Sequence, residues 1–349
     1  MLAGCNNSPY TAGLSKESVY FVSQADDPRK LDPASSYRAN EGQILDVICS
    51  SYYEYQPLKT KTFQMQLNLG QREAERKPYT YIDEKTRKQL IGERWTFHIR
   101  HDLRFQDDPC FPDGKGRAIT ARDFLYAFRR MADPVNASPV QGFFVDKIIG
   151  FNELINRNAE LLKNGKNADY STPVQGLQLD PKDPYTFHIA LNQVYPQMRY
   201  LMAMHFTTPM AHEAVKFYGK DIERHPVGCG PFVLAEWTPK RRIVLAKNPN
   251  RPLELYPSEG EAGDVEAGLL KAAGKQLPLV DQIIISNITE GTTGWNLFLQ
   301  GYVDSWSVTQ TNYQQVISQQ GNTTPEMNQR GIRLTKSSDV GVSYFAFNM

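Results

Sequence analysis

The sequence lacks any apolar run long enough to span a membrane. A spanning helix needs about 18 consecutive apolar residues, and the most apolar stretches, such as residues 282–288, have only the length of a strand. An excess of charge of one sign is also missing, because 39 lysines and arginines nearly balance 38 aspartates and glutamates. No overall field therefore draws the chain to nucleic acid or to an acidic membrane surface. A binding role has to come from a local pocket.

Cysteine is scarce, with four residues in 349. The spacing of Cys49, Cys110 and Cys229 matches neither a zinc site nor a redox motif. Three cysteines cannot all pair with one another. One disulfide is expected in an exported protein, and Cys49 with Cys110 is a predicted pair because both fall in one predicted subdomain. Free buried thiols are the alternative.

Common catalytic patterns are missing as well. The sequence contains no Gly-x-Ser-x-Gly, His-Glu-x-x-His, Walker A or Gly-x-Gly-x-x-Gly motif. Its six histidines are scattered along the chain. The acidic turn from Asp107 to Asp113 carries Cys110 and Pro112 where a calcium loop needs oxygen donors. We therefore expect a protein that is not an enzyme, with no catalytic residues, no metal and no cofactor.

A short motif stands at the start of the chain. Leu2-Ala3-Gly4-Cys5, followed by a polar segment, resembles a bacterial lipobox. In a lipobox the small residues fit the signal peptidase and the cysteine thiol accepts diacylglycerol. A charged segment and an apolar segment should precede such a box, and only Met1 does, so we expect a trimmed leader. Cys5 is the predicted lipid anchor, with a buried or free cysteine as the alternative.

Hydrophobic periodicity predicts a mixed α/β chain. Alternating patterns indicate strands at residues 18–23, 95–105, 185–191, 280–288 and 303–308 and a hairpin across 233–246. Helical spacing indicates helices from Glu41 to Leu58 and over residues 151–163 and 290–301. Thr120 and Asp123 predict a capping box at the start of a further helix. The charge-dense residues 70–92 predict a surface excursion.

Three groups of motifs resemble family 5 of the bacterial extracellular solute-binding proteins, a class that includes oligopeptide- and dipeptide-binding proteins. The strongest group is Gly228-Cys229-Gly230-Pro231-Phe232, continued to Trp237 and followed by residues 242–249. A second group spans residues 95–105 and 119–124, and a third spans residues 295–304 and 344–348. The groups follow the order of the family from about Val19 to the last residue.

The resemblance implies a periplasmic binding protein-like two-lobed clamshell of the α/β class, type II with an inserted subdomain, which closes on its ligand by hinge motion. Residues 1–17 would form the lipobox and tether. Residues 18–48 together with 175–283 would form lobe I, and residues 49–174 the inserted subdomain. Residues 284–349 would begin lobe II, which we expect to be incomplete because the lobe is longer in the family.

The same resemblance implies ligand-binding positions. The loop with Glu41 and Gln43 corresponds to a segment that faces the cleft from lobe I. Val140 occupies a position that carries an aromatic contact in oligopeptide-binding members, so that contact is altered here. Ser305, Trp306 and Ser307 match the strand end beside the hinge. Trp306 would stack on a ligand side chain or lie in the core.

The function implied is that of a monomeric lipoprotein on the periplasmic side of a bacterial membrane. It would capture peptides and deliver them to the permease subunits of an ABC transporter. Two alternatives stay open at this point. One is the same role for another solute, such as a nickel chelate, haem, a sugar or an opine. The other is an envelope hydrolase whose catalytic residues lie outside this sequence.

Overall fold

The computed structural model describes residues 18–59, 63–83 and 86–336. Its strands are β1 (Val19–Gln24), β2 (Tyr53–Tyr55), β3 (Met65–Leu67), β4 (Glu75–Ile82), β5 (Gln89–His98), β6 (Leu177–Leu179), β7 (Thr186–Leu191), β8 (Phe232–Thr238), β9 (Arg242–Lys247) and β10 (Gln282–Asn287). Its α-helices are α1 (Ala39–Ile48), α2 (Ala121–Met131), α3 (Phe151–Lys163), α4 (Met198–Leu201), α5 (His212–Tyr218), α6 (Gly291–Leu299), α7 (Tyr313–Val316) and α8 (Pro325–Gln329).

The first sheet places β1, near the start of the described chain, beside three later strands in the order β1-β10-β9-β8. β1 lies parallel to β10, with Val19 opposite Gln282, whereas β10, β9 and β8 are antiparallel. α1 packs on this sheet because Ile44, Leu45 and Ile48 share one helical face and bury against Phe232, Ile243, Leu245 and Ile285. The exposed face of α1 is left for other contacts.

The second sheet is antiparallel, in the order β4-β5-β7-β6. Period-two alternation in β5 buries Trp95 and Phe97, as predicted, and Phe97 stacks on Phe187 of β7 with ring centroids 4.9 Å apart. α2 covers this face, with Phe124 stacking on Phe187 at 5.2 Å. The larger hydrophobic core of the chain lies here, between the sheet and α2.

Asp123 forms its half of the predicted capping box at the start of α2. The carboxylate of Asp123 accepts a hydrogen bond from the backbone N–H of Thr120 at 2.8 Å. The Thr120 side chain differs from the prediction. Its hydroxyl donates to the same carboxylate at 3.2 Å instead of accepting a hydrogen bond from the helix. Arg117 donates to both Asp123 oxygens, at 2.7 and 2.9 Å, and fixes the carboxylate at the start of the helix.

Strand pairing bears on the division into lobes. β6 and β7 pair within the second sheet, β7 directly with β5. Residues 177–191 therefore share a sheet with residues 75–98, whereas our division assigned them to lobe I. Residues 18–24, 232–247 and 282–287 form the other sheet together. The division into lobe I, inserted subdomain and lobe II stays a prediction.

Two local predictions were wrong. The helix from Glu41 ends at Ile48, because Cys49 is extended and residues 53–55 pair with β3 instead of continuing the helix. The predicted surface excursion at residues 70–92 is largely exposed, and it contains β4 and the start of β5, which pair with each other. Residues 303–308 form no strand; Asp304 bonds to Phe21 of β1, but no ladder follows.

None of the helices among the described residues combines the length and the apolarity that crossing a membrane requires.

Candidate ligand-binding cleft

A cleft of about 590 Å³ opens beside the exposed face of α1. Four segments line it: the start of α1, the extended chain that follows α1, one residue after β3, and the loop after α4. The lining residues are Tyr37, Arg38, Ala39, Gly42, Gln43, Asp46, Cys49, Ser50, Ser51, Tyr53, Glu54, Tyr55, Asn68, Ala203, Met204, His205 and Phe206. The volume lies in the range of small-molecule sites.

α1 contributes one face to this cleft. Ala39, Gly42, Gln43 and Asp46 line it, and their spacing of three, four and seven residues places them on one side of a helix. The opposite side is buried on the first sheet through Ile44, Leu45 and Ile48. The amphipathic character of α1 therefore fixes which residues face the cleft.

Glu41 holds the loop that leads into α1. It is buried, and its carboxylate accepts hydrogen bonds from the backbone N–H groups of Arg29, Tyr37 and Arg38 at 3.1, 3.2 and 3.3 Å. This is the acidic half of a capping box at the start of α1. Glu41 thereby fixes the backbone that carries Tyr37 and Arg38 to the rim of the cleft.

The floor of the cleft is the extended segment after α1. Its residues are pinned to the chain around residues 201–208. The Ser51 hydroxyl donates to the carbonyl of Met204 at 2.8 Å, and the Thr208 hydroxyl donates to the carbonyl of Ser50 at 2.6 Å. The N–H of Tyr53 donates to the carbonyl of Met202 at 3.1 Å. These bonds make the floor a fixed surface.

His205 closes one side of the cleft against α1. Its Nδ1 lies 3.4 Å from the carboxylate of Asp46, and its Nε2 lies 3.3 Å from the carbonyl oxygen of Ser36. A side chain at Gly42 would place its Cβ 3.3 Å from Cε1 of the ring, so glycine lets the imidazole approach the helix. The Asp46 carboxylate itself remains largely exposed.

Aromatic side chains stand at the rim. Tyr37 is 64% exposed and stacks on Phe206, with ring centroids 6.4 Å apart and an interplanar angle of 27°. Tyr55 is 48% exposed and lines the same cleft. Exposed tyrosines offer a flat apolar surface together with a hydroxyl that can donate or accept. The rim is therefore suited to an organic ligand with both apolar and polar parts.

Glu54 places a half-buried carboxylate among the residues that line the cleft. It accepts hydrogen bonds from the amide nitrogens of Gln66 at 2.6 Å and Asn68 at 2.7 Å. Burial raises the pKa of Glu54, against the lowering effect of the Gln66 hydrogen bond, and Glu254 raises it further. With Asp46 at one side and Arg38 at the rim, the cleft presents both signs of charge.

The structure places the predicted site residues in different surroundings. Gln43 is exposed and lines the cleft. Glu41 lies beneath it, and its carboxylate is occupied by backbone amides, so the predicted ligand contact is not supported. Val140 is 1% exposed in the hydrophobic core around α2, so the contact predicted for its side chain is not supported either.

Ser305, Trp306 and Ser307 are not among the residues that line this cleft. Trp306 is partly buried against a small cluster with Trp295, and its ring lies directly over Gly294 of α6. Ser305 and Ser307 are exposed. Their role as ligand contacts stays a prediction. Cys5 lies outside the described residues.

Sequence reasoning missed the residues that form the rim and side of the cleft: Tyr37, Arg38, Asp46, Tyr55 and His205. The polar face of α1 offered one usable pattern, because Gln43 and Asp46 lie on the side opposite the apolar residues Ile44 and Ile48. No local pattern identifies His205, which reaches Ser36 across 169 positions of sequence.

Within the described part of the chain, no group of three or more histidine, cysteine, aspartate or glutamate side chains is arranged to hold a metal ion.

Comparison with known proteins assigns the chain to a family. The family model described as bacterial extracellular solute-binding proteins, family 5 Middle, matches residues 89–349, more than half of the chain. The chain belongs to this family. The family 5 assignment agrees with the resemblance carried by the Gly228–Trp237 hairpin and by the motifs on either side of it.

Relatives of this family 5 protein carry the names of binding proteins. The periplasmic oligopeptide-binding protein OppA of Escherichia coli K12 is 28% identical over 158 residues, which cover 44% of this chain and 25% of the relative. The probable deoxycholate-binding periplasmic protein YgiS of the same organism is 26% identical over 215 residues, covering 61% of this chain and 32% of the relative. The chain thus spans well under half the length of these relatives.

A solved structure supports the fold assignment. Burkholderia pseudomallei OppA matches with a TM-score of 0.60 at 18% identity, over 87% of this chain and 48% of that structure. This family 5 protein therefore has the mixed α/β fold of the periplasmic binding proteins over about half of their length. The predicted fold class is confirmed, with the second lobe only partly represented.

Proposed function

We propose that this chain forms the lobe I wall of the ligand site in an extracytoplasmic solute-binding protein that captures peptides for an ABC transporter. The cleft beside α1 carries the proposal. It has the volume of a small-molecule site, a fixed backbone floor at residues 50–53, exposed tyrosines at its rim, and charged groups of both signs. An extended peptide presents the same mixture of apolar side chains, amides and charges.

The fixed floor suits a ligand that is recognised through its main chain. Side-chain hydroxyls and backbone amides from residues 202–208 hold the floor in one conformation. A preorganised surface of this kind costs little ordering when the ligand binds. Family membership supports a binding role, and the relative named for oligopeptide binding supports peptides as the ligand class.

A planar amphipathic ligand is the second candidate. The stacked pair of Tyr37 and Phe206 offers a flat apolar face, and Arg38 lies beside it on the rim. A steroid carboxylate could use both features. The relative named for probable deoxycholate binding favours testing this class beside peptides.

The proposal extends to location and partners. We propose that Cys5 is lipidated, that the protein acts as a monomer on the periplasmic side of a bacterial membrane, and that it delivers its ligand to permease subunits. No nucleic acid, metal or cofactor takes part. The lobe arrangement predicted for residues 18–48, 49–174, 175–283 and 284–349 belongs to the same proposal.

Isothermal titration calorimetry of the purified protein tests the ligand. A mixture of tri- to pentapeptides and, separately, deoxycholate are titrated into the wild-type chain. We expect heat from peptides, and we expect Tyr37→Ala to weaken the interaction about fivefold, because loss of one aromatic contact costs about 1 kcal/mol.

Tyr313→Ala is the matched control, since Tyr313 is 54% exposed and lies away from the cleft. Its affinity should equal that of the wild type. Heat from deoxycholate and none from peptides would favour the second candidate, a planar amphipathic ligand, over peptides. Two results would contradict the cleft as the ligand site. One is an equal loss of affinity in both tyrosine variants. The other is the absence of heat from any ligand when circular dichroism shows that the protein is folded.

A further inference from the structure

A second pocket lies next to the cleft and shares two lining residues with it. Its volume is about 380 Å³. Glu54 and Asn68 line both cavities, so the Glu54 side chain stands where the cleft and the second pocket meet. The other residues that line the second pocket are Gln56, Gln66, Leu67, Arg100, Glu254, Leu255, Pro257, Ser258 and Glu259. A group of a ligand in either cavity therefore comes within reach of Glu54.

The Glu54 carboxylate is held by two neutral amides. Gln66, which faces Glu54 across the β2–β3 ladder, donates to Oε1 at 2.6 Å, and Asn68 donates to Oε2 at 2.7 Å. An ionised carboxylate has about four lone-pair positions for donors. Among the described residues these two amides occupy one position on each oxygen. The carboxylate is thus fixed in place, and each oxygen keeps capacity for a further donor.

Arg251 sets the orientation of the Asn68 amide. Its Nη2 donates to Oδ1 of Asn68 at 2.8 Å, so Nδ2 of the same amide faces Glu54. The Arg251 side chain is 6% exposed, and Nη1 donates to the Ser50 hydroxyl at 3.0 Å and to the carbonyl of Cys229 at 3.1 Å. A buried arginine from the loop after β9 therefore holds the floor of the cleft and, through Asn68, the carboxylate of Glu54.

Glu54 differs from the other carboxylates of the second pocket in its partners. Glu254 accepts a hydrogen bond from Arg251 at 2.8 Å, and Glu259 lies 3.9 Å from Lys59. Within the described ranges of the chain, Glu54 has no basic side chain within 4 Å of its carboxylate. Burial and the charge of Glu254 both raise the pKa of Glu54, because both disfavour its ionised form. A cation bound beside Glu54 would offset both effects.

Arg100 is the basic residue that lines the second pocket. Its Nε and Nη2 donate to the two carboxylate oxygens of Asp102 at 3.0 and 2.6 Å. Its charge is therefore paired within the protein. The carboxylate of Glu54 is the charge of this pocket that a ligand is best placed to neutralise.

We propose that Glu54 is a specificity-determining residue of the cleft and accepts a cationic group of the bound ligand, an ammonium or a guanidinium. This inference rests on the proposed function and deepens it by naming the charge that the ligand carries. A guanidinium can donate to both carboxylate oxygens at once, at the positions that Gln66 and Asn68 leave open. Charge-assisted hydrogen bonds are about twice as strong as neutral ones, so a cation should be preferred over a neutral group of the same shape.

Arginine and citrulline peptides test this preference, because citrulline has nearly the shape of arginine without its charge. Trialanine with arginine or citrulline at its second or third position is titrated calorimetrically into the wild-type chain. We expect the arginine peptide to bind about tenfold more tightly than the citrulline peptide. Glu54→Gln should bring this ratio to about one. Glu54→Asp, which keeps the charge, should keep a ratio above that of Glu54→Gln.

Acetylation of the amino terminus distinguishes the two sources of a cation in these peptides. If the side chain is the cation, the acetylated arginine peptide keeps its advantage over the acetylated citrulline peptide. If the terminal ammonium is the cation, acetylation weakens binding to the wild type and has no further effect in Glu54→Gln. Either result supports Glu54 as the acceptor of a cation.

Glu326→Gln is the matched control, since it removes a carboxylate that is 71% exposed on α8 and lines neither cavity. It should keep the wild-type ratio, and circular dichroism checks that each variant is folded. Two results would overturn the proposal. One is a wild type that responds neither to citrulline nor to acetylation. The other is a preference for the cation that Glu54→Gln retains in full.

Butylguanidinium and butylurea separate this result from the proposed function, because neither contains a peptide backbone. If no peptide gives heat, the proposed function fails. Binding of butylguanidinium to the wild type, with none to Glu54→Gln and none of butylurea, would still support Glu54 as a cation acceptor, and no binding of butylguanidinium would overturn it. Conversely, peptides that bind equally well with and without a cationic group would leave peptide capture intact and remove this role of Glu54.

Discussion

Arg130 of α2 and Asp32 of the loop after β1 form a bidentate ion pair across 98 positions of sequence. Nη1 and Nη2 of Arg130 donate to the two carboxylate oxygens at 2.6 and 2.9 Å, and both side chains are about 3% exposed. Burial alone would lower the pKa of Arg130, but the neighbouring Asp32 outweighs it and raises the pKa. The pair connects the α2 layer to the segment that leads into α1.

Removing one partner of this pair should destabilise the protein strongly. Asp32→Ala leaves a buried guanidinium without its counter-charge, which costs about 3–5 kcal/mol. Urea unfolding followed by circular dichroism measures the change. Glu326→Ala is the control, because Glu326 lies 4.0 Å from Arg330 in an exposed pair and should change the free energy by at most about 0.5 kcal/mol. Equal changes in the two variants would contradict the argument.

Gly228 should not tolerate a side chain. Its Cβ would lie 2.1 Å from the backbone oxygen of Ile48, which cannot move without shifting the end of α1. Gly228→Ala should therefore lower the free energy of unfolding by about 2–3 kcal/mol. Gly142→Ala is the matched control, since nothing lies within 4 Å of its Cβ, and its effect should stay within about 0.5 kcal/mol. A larger change in the free energy of unfolding for Gly142→Ala would contradict the steric explanation.

Asp107 should make stability depend on acid pH. Lys115, the Asn250 amide and the Gly116 N–H lower its pKa from the usual 3.8 to about 2. Because the folded pKa lies below the unfolded one, the stabilisation is complete above about pH 4 and is lost as the pH falls toward 2. The side chain is about a third exposed, so solvent screening limits the contribution to about 1 kcal/mol.

Asp107→Asn provides the measurement for this pH effect. Its free energy of unfolding should lie below that of the wild type at pH 6, and the gap should narrow below about pH 4 and close only as the pH falls through about 2. A gap that stays constant over this range would mean that Asp107 stabilises the turn without its charge.

The sequence predicted most strands because their patterns are local. Trp95 and Phe97 alternate with half-exposed residues in β5, and the hairpin of β8 and β9 carries turn residues between two apolar runs. The overlong helix from Glu41 failed for a tertiary reason. Tyr52 continues the helical spacing, but the bonds of Ser50 and Ser51 to residues 204–208 hold the chain extended.

The cleft was less accessible to sequence reasoning. The resemblance pointed to the segment of Gln43, which lines the cleft, and to Glu41, which lies on another face of the helix because a two-residue step changes the face; both stay predictions as ligand contacts. Tyr37 and His205 come together only after α1 and the loop after α4 pack against each other. Contacts over such separations leave no pattern in either segment alone.

Lipidation at Cys5 predicts where the protein is found in a cell. When the protein is produced in a bacterium behind a lipoprotein leader, the wild type should enter the detergent phase on Triton X-114 partitioning, because two acyl chains give stable anchoring. Cys5→Ser should move to the aqueous phase, whereas Cys110→Ser should stay with the wild type. Identical partitioning of all three proteins would rule out the anchor, and the mass of the N-terminal peptide identifies the lipid.

Glu41 links stability to the shape of the cleft. Glu41→Ala removes the acceptor for the N–H groups of Arg29, Tyr37 and Arg38, and loss of these partly buried hydrogen bonds should cost about 1–2 kcal/mol. The loop that carries Tyr37 should loosen, so both the free energy of unfolding and the affinity for ligand should fall. Gln43→Ala separates the two effects, because Gln43 is exposed and lines the cleft. It should weaken ligand binding at unchanged stability. Glu41→Ala with wild-type stability would show that its carboxylate does not hold the loop.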